Sequence, residues 1–99
     1  MIFELEFSDR AKEQLRNLKK DKGLAKRYRA VQKALKKLQR NPGYPSLQTH
    51  EFYSLKGPKG EKIFEAYAEQ NTPAAYRIFF HYGPRRGIIS IISIEFHPD

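Results

Sequence analysis

The sequence predicts an α+β fold: an N-terminal strand, an antiparallel two-helix hairpin, then a mainly antiparallel curved sheet of three to four further strands. Three observations predict it. Residues 2–7 alternate in polarity. Apolar residues then recur at helical spacing in two segments separated by a short break. From residue 51 onward the chain is rich in β-branched and aromatic residues, punctuated by Gly and Pro turns.

Each element has its own signal. In residues 2–7, Phe3, Leu5 and Phe7 share one side, and Ile2, Glu4 and Glu6 the other, as in a half-buried strand. Ser8 suits a helix N-cap, and Asp9 places negative charge in the first turn, where the helix dipole favours it. Ala11, Leu15 and Leu18 form one face of a first helix, which Asp21-Lys22-Gly23 ends. Leu24, Tyr28, Val31, Leu35 and Leu38 give a second helix, stopped by Asn41-Pro42-Gly43. The short break turns the two apolar seams toward each other and toward the sheet. Residues 41–50 read as loop. Glu51 to Leu55 is a short strand leading into the basic turn Lys56-Gly57-Pro58-Lys59-Gly60, and Ile63 to Glu69 is a second strand. Asn71-Thr72-Pro73 turns the chain. Residues 75–82 and 88–96 then form a hairpin around Gly83-Pro84-Arg85-Arg86-Gly87.

Composition narrows the function. The 99 residues suit a single domain, 1–99, with one core. The absence of Cys excludes a disulfide scaffold and any thiolate site. No apolar run reaches the roughly 18–20 residues of a membrane span, and Met1-Ile2-Phe3-Glu4 is not a signal peptide, so the expectation is a cytoplasmic protein with no membrane partner. The formal net charge is +8, and all of that excess lies in residues 1–49, which hold 13 Lys/Arg against 5 Asp/Glu. Such a surface suits a polyanion or an acidic protein. It equally suits solvated helix faces.

Pairing residue 82 with 88 would put like parity on one face of the hairpin. Tyr76, Ile78, Phe80, Tyr82, Ile88, Ile92, Ile94 and Phe96 then pack on the helices. Arg77, Phe79, His81, Ile89, Ile91, Ser93, Glu95 and His97 share the other face, which should be open or meet something polar, because unpartnered burial would be costly. Arg77 faces Ser93 in this register, with Glu95 its diagonal neighbour and a candidate ion-pair partner. His81 reads as an exposed strand histidine or an RNA contact.

With these elements in place, the chain resembles the RelE/ParE toxin superfamily over nearly its whole length, closest to the RelE/YoeB-like mRNA interferases. The resemblance rests on Phe7-Ser8 opening the first helix, Leu38-x-x-Asn41-Pro42, Leu55-Lys56-Gly57, Tyr76-Arg77-Ile78-Phe79-Phe80, and the Ile-rich final strand ending in His97. It implies the toxin of a type II toxin–antitoxin system, held inactive by a cognate antitoxin. The activity implied is a metal-independent and cofactor-independent endoribonuclease acting on mRNA at the ribosome. Arg77 matches the arginine that contacts the scissile phosphate. His97 matches a C-terminal histidine that serves as general acid or base in the YoeB-like branch, where a Tyr follows in place of Pro98. The Glu that this branch carries before Leu-Lys-Gly corresponds to Tyr53, with Glu51 two residues earlier. Where RelE proper carries lysines, this chain has Glu65, Tyr67 and Glu69. The ParE-like branch shares the fold and inhibits DNA gyrase without nuclease activity. A ParE-like role and an inactive member are the alternatives.

Cleavage by this route uses the RNA 2′-hydroxyl as nucleophile and leaves a 2′,3′-cyclic phosphate and a 5′-hydroxyl. It needs a base for the 2′-hydroxyl, a cation for the phosphorane and an acid for the 5′-oxygen. A guanidinium can hold two phosphate oxygens, so Arg77 suits the second role. Imidazole exchanges protons near neutral pH, so His97 suits the first or third. Glu51, Glu65 or Glu95 fits the complementary base by residue type. Lys56, Lys59, Lys62, Arg85 and Arg86 at the turns are candidate RNA-backbone contacts. Lys33, Lys36 and Lys37, among the helical cations, are candidate docking residues for ribosomal RNA. Tyr53, Phe79 and Tyr82 are candidate base-stacking residues, or strand packing.

Overall fold

The structure is a computed structural model. It describes residues 2–69 and 74–98, with backbone alone for Ala74, His97 and Pro98. The elements follow the expected order with four strands after the helices: β1 (Glu4–Phe7), α1 (Asp9–Lys20), α2 (Ala25–Arg40), β2 (His50–Lys56), β3 (Lys62–Tyr67), β4 (Ala74–Tyr82) and β5 (Ile88–Pro98). They build one sheet in the order β1-β5-β4-β3-β2. β1 runs parallel to β5, and the other pairs are antiparallel. The expected turn at Asn71-Thr72-Pro73 lies outside the described residues.

Local chemistry fixes the helix ends. Ser8 caps α1, its Oγ accepting from the Ala11 N–H at 3.0 Å. Asp21 closes the break, its carboxylate accepting from the Gly23 N–H at 2.9 Å and opening a single 3-10 turn, Lys22–Leu24. Beyond α2, the Asn41 side chain accepts from the Gly43 N–H at 2.9 Å and turns the chain away. The segment expected to be plain loop contains a second 3-10 turn, Pro45–Leu47, whose Leu47 enters the core.

Both helices pack on one face of the sheet. Leu18, Val31, Leu35 and Leu38 meet Ala66, Ile78, Phe80, Ile89, Ile91 and Ile94 there. Each fully buried side chain of this kind contributes roughly 1.5–3 kcal/mol. β1 stops at Phe7, opposite Ile91, so β5 continues past its neighbour. Helix α1 covers that bare edge: Ser8 Oγ donates to the Ile92 carbonyl at 2.8 Å, and Gln14 Oε1 accepts from the Ile94 N–H at 2.7 Å. These bonds satisfy backbone groups that a missing strand would otherwise leave open.

The hairpin register differs from expectation. Tyr82 pairs with Ile89, and a bulge follows: Phe80 faces Ile91 while Phe79 faces Ser93, leaving Ile92 as the extra residue. A bulge reverses which face each side chain takes on one strand. Ile89 and Ile91 therefore belong to the helix-covered core, whereas Ile88, expected there, is buried outside that cluster. Arg77 directly faces Glu95, not Ser93.

Candidate functional site

The helix-free face carries Ile63, Glu65 and Tyr67 of β3 and Ala75, Arg77, Phe79 and His81 of β4, flanked by His50 and Phe52 of β2. The sequence expects this wall to be open or to meet something polar, and the second holds: Glu65 is 4% exposed, Arg77 7% and His81 6%, with Glu65 contacting both Arg77 and His50. The covering comes from neighbouring strands. Phe52 packs edge-on against Phe79, with ring centroids 5.1 Å apart, and His50 packs edge-on against Tyr67 at 5.8 Å. The Arg77 guanidinium lies 3.8 Å from the Tyr67 ring centroid. Burial is tolerable here because the charges are paired rather than solvated.

Glu65 is the hub. Its carboxylate accepts from Arg77 NH1 at 3.2 Å through one oxygen and lies 2.8 Å from His50 Nε2 through the other. His50 Nδ1 lies 2.8 Å from the Gln48 carbonyl. Both imidazole nitrogens therefore face oxygen atoms. Strand pairing sets the cluster. His50 and Phe79 flank Glu65 in register, and Tyr67 sits opposite Arg77, so the Arg77–Glu65 contact is the diagonal one. Gln48, at φ 46°, adopts the left-handed turn conformation just before β2.

The other candidates divide between places. Glu95 is opposite Arg77, yet its carboxylate accepts from Arg10 NH2 of α1 at 3.1 Å, so it is not the arginine's ion-pair partner. Glu51 pairs with Phe64, one residue out of phase with Glu65, and so points to the opposite face, 4.0 Å from Lys56 Nζ. His81 is buried rather than exposed, with Nδ1 3.1 Å from the Tyr82 carbonyl, and it does not present a surface for RNA. The side chain of His97 lies outside the described residues; its backbone pairs with Ala75, two residues from Arg77. Phe79 is packing. Tyr82 rests against Phe3, Phe64 and Phe80, and burial pushes its phenol up. Tyr53 is 78% exposed and open for stacking.

The basic turns gather at one end of the sheet. Phe64 at the start of β3 pairs with Phe80 near the end of β4, so the turns 57–61 and 83–87 leave side by side. Lys56 and Lys62 sit directly opposite each other across the β2–β3 hairpin, and Lys59 is exposed at its tip. Like charges in that position are destabilising. Glu61 folds back at the tip, and the Lys59 and Glu61 backbone N–H groups hold its carboxyl below the usual range. That carboxylate lies where a Cβ at residue 57 would sit, so a larger residue there would displace the Glu61 side chain. Arg85 pairs with Glu6 at 3.2 Å, and Arg86 is exposed. On α2, Lys33 and Lys36 are exposed. Lys37 instead donates to Ser46 Oγ at 2.9 Å and lies 4.8 Å from the Tyr44 ring, holding the following loop.

His50 is the site residue that the sequence reading misses. Taking the strand to start at Glu51 places the residue before it in a loop. Extending the alternation back by one would have put His50 and Phe52 on one face.

No protein-family model matches the chain, and comparison with curated proteins finds no match. Two solved structures are similar over nearly the whole length. One is a YoeB/ParE toxin from Agrobacterium tumefaciens, with a TM-score of 0.69 and 12% identity over 95% of this chain and 98% of that one. The other is a chain of the archaeal RelE–RelB complex from Pyrococcus horikoshii OT3, with a TM-score of 0.65 and 15% identity over 97% and 96% of the two chains. The protein thus shares its fold with both of these chains.

Proposed function

We propose that this chain is the toxin of a type II toxin–antitoxin pair, an mRNA endoribonuclease that acts at the ribosome with the RNA 2′-hydroxyl as nucleophile. One observation carries the reading: an arginine, a carboxylate and a histidine cluster on the helix-free face of a sheet whose far end bears two Lys/Arg turns. Lys56, Lys59, Lys62, Arg85 and Arg86 track the RNA backbone, while Lys33 and Lys36 dock on ribosomal RNA. Arg77 steadies charge on the phosphorane once the phosphate reaches it, and His97 takes the 2′-hydroxyl proton. The chemistry requires neither metal nor cofactor. A cognate antitoxin keeps the protein silent, its acidic segment folding over the basic helices. The RelE–RelB assembly among the similar structures supports such a partner.

The alternative, a gyrase inhibitor without nuclease activity, is favoured by one feature: Arg77 is buried and already paired with Glu65. Mapping RNA 5′ ends after induction separates the two. The nuclease reading expects new 5′-hydroxyl ends within translated messages, reduced about 100-fold or more in His97→Ala. A DNA-damage response without new RNA ends would establish the gyrase reading.

A further inference from the structure

We infer that the bulged middle of β2, residues 52–55, forms a subsite for one unpaired nucleotide of single-stranded RNA. Its base stacks on the Tyr53 ring, and the phosphates on either side meet Lys56 and Lys62. This rests on the RNA-binding part of the function proposed above. Glu51 pairs with Phe64 and Lys56 with Lys62, so β2 places four residues where β3 has only Ile63. A bulge of that size ends regular pairing and re-aims the side chains it carries. The segment is anchored on both sides of Tyr53. Glu51 Oε2 and Lys56 Nζ approach to 4.0 Å across its base, and the Phe52 ring packs edge-on against Phe79. Tyr53 is 78% exposed, more than any other large apolar side chain among the described residues.

The flanking charges identify the ligand. Lys56 and Lys62 stand directly opposite each other, a like-charge pair that costs stability until an anion lies against it. Lys59 adds an exposed cation at the tip of the hairpin. Among the described residues, neither Lys59 nor Lys62 makes an ion pair. The carboxylates close by are already engaged: Glu51 by Lys56, and Glu61 by the Lys59 backbone N–H at 2.8 Å. The pair of Glu51 with Lys56 is long, and the lysine is 57% exposed, so a phosphate can take the carboxylate's place. An aromatic face beside phosphate-binding cations holds single-stranded nucleic acid with little regard to sequence, since every base has a π-face. Phe79, which anchors the bulge through Phe52, is two residues from Arg77 on β4. The platform therefore stands beside the candidate centre, where it positions the strand and takes no part in the chemistry.

The test uses the full chain and a short single-stranded RNA whose 2′-methoxy groups block cleavage, with 2-aminopurine placed at each position in turn. Affinity is read on this RNA, and KM on ribosome-bound message. Wild-type binding should quench 2-aminopurine at one position, the mark of a stacked base. Tyr53→Ala should weaken affinity about 5- to 150-fold, the range for one stacked base, and remove the quenching. Tyr53→Phe keeps the ring and should bind and quench like the wild type. An abasic nucleotide at that position should weaken the wild type as much as Tyr53→Ala does, and should leave the Tyr53→Ala variant little changed. Tyr53→Ala with wild-type affinity and KM overturns the subsite and leaves the nuclease reading intact. Wild-type RNA affinity in Tyr53→Ala, with loss of neutralisation by the cognate antitoxin, assigns the bulge to that protein and equally overturns the subsite. A wild-type chain that binds neither this RNA at low salt nor ribosomes overturns both.

Discussion

On the helix-covered face, Ala66, Ile78, Phe80, Ile89, Ile91 and Ile94 meet apolar helix residues. On the helix-free face, Glu65, Arg77, His81 and Ser93 are shut away to a similar depth among Ile63, Ala75 and Phe79. The same strands supply both faces, so strand alternation alone separates a hydrophobic core from a charged one. The first face stabilises the fold by removing apolar area from water. The second holds charges whose mutual attraction is offset by the cost of desolvating them, and a buried pair of this kind is a weak source of stability. A small domain has few buried positions to spare. Two of them go to the Glu65–Arg77 pair, on which the proposed role in binding or chemistry rests.

Large truncations on the two faces should cost about the same for different reasons. Phe80→Ala opens a cavity on the helix side and should lower unfolding free energy by about 3–5 kcal/mol. Arg77→Ala leaves Glu65 buried with half its pairing gone, and should also cost about 3–5 kcal/mol. Denaturant titration measures both. The double variant Glu65→Leu/Arg77→Met then breaks the symmetry. It should recover the whole loss, ending between neutral and about 4 kcal/mol more stable than the wild type, while abolishing cleavage. A double variant as unstable as Arg77→Ala would show that the cluster holds the fold together, and the contrast between the faces would lose its meaning.

That contrast was partly legible in the sequence. The helices, the order of elements along the chain and the helix-side residues Ile78 and Phe80 of β4 followed from periodicity and turn residues, because those signals are local. The bulge at Ile92 was not legible. One extra residue in an unbroken Ile-rich run leaves no compositional mark, yet it exchanges the faces of Ile88 and Ile89. The partner of Arg77 was missed for a related reason. Glu95 was the near neighbour within the hairpin, whereas Glu65 comes from β3, and its role depends on which strand lies on the other side of β4. His50 stood one residue outside the expected strand. Glu51 and Glu65 looked equivalent by residue type until register placed them on opposite faces.

The border between the faces gives a smaller effect. Ser8 accepts from Ala11 and donates to Ile92, so one hydroxyl caps α1 and seals the bulged edge of β5. Ser8→Ala should cost about 1–2 kcal/mol, more than an ordinary cap, since the Ile92 carbonyl also loses its donor. Thermal or denaturant unfolding checks the size. Hydrogen exchange checks the place, with protection at the Ala11 amide expected to fall first. A loss spread evenly over the sheet would mean that the edge contact adds nothing of its own.

The smallest effect lies at the basic end, where Lys62 faces Lys56. Lys62→Ser removes a like-charge pair across a hairpin and should stabilise the protein by about 0.2–1 kcal/mol. The same change should weaken ribosome binding and reduce the slope of log affinity against log salt by about 0.7–0.9 if that lysine meets one phosphate. Opposite signs in the two measurements are the point, since a residue that lowers stability and raises affinity is kept for its ligand. If Lys62→Ser binds RNA with an unchanged slope, the paired lysines are only a tolerated defect of the turn, and the basic end of the sheet plays no part in holding the message.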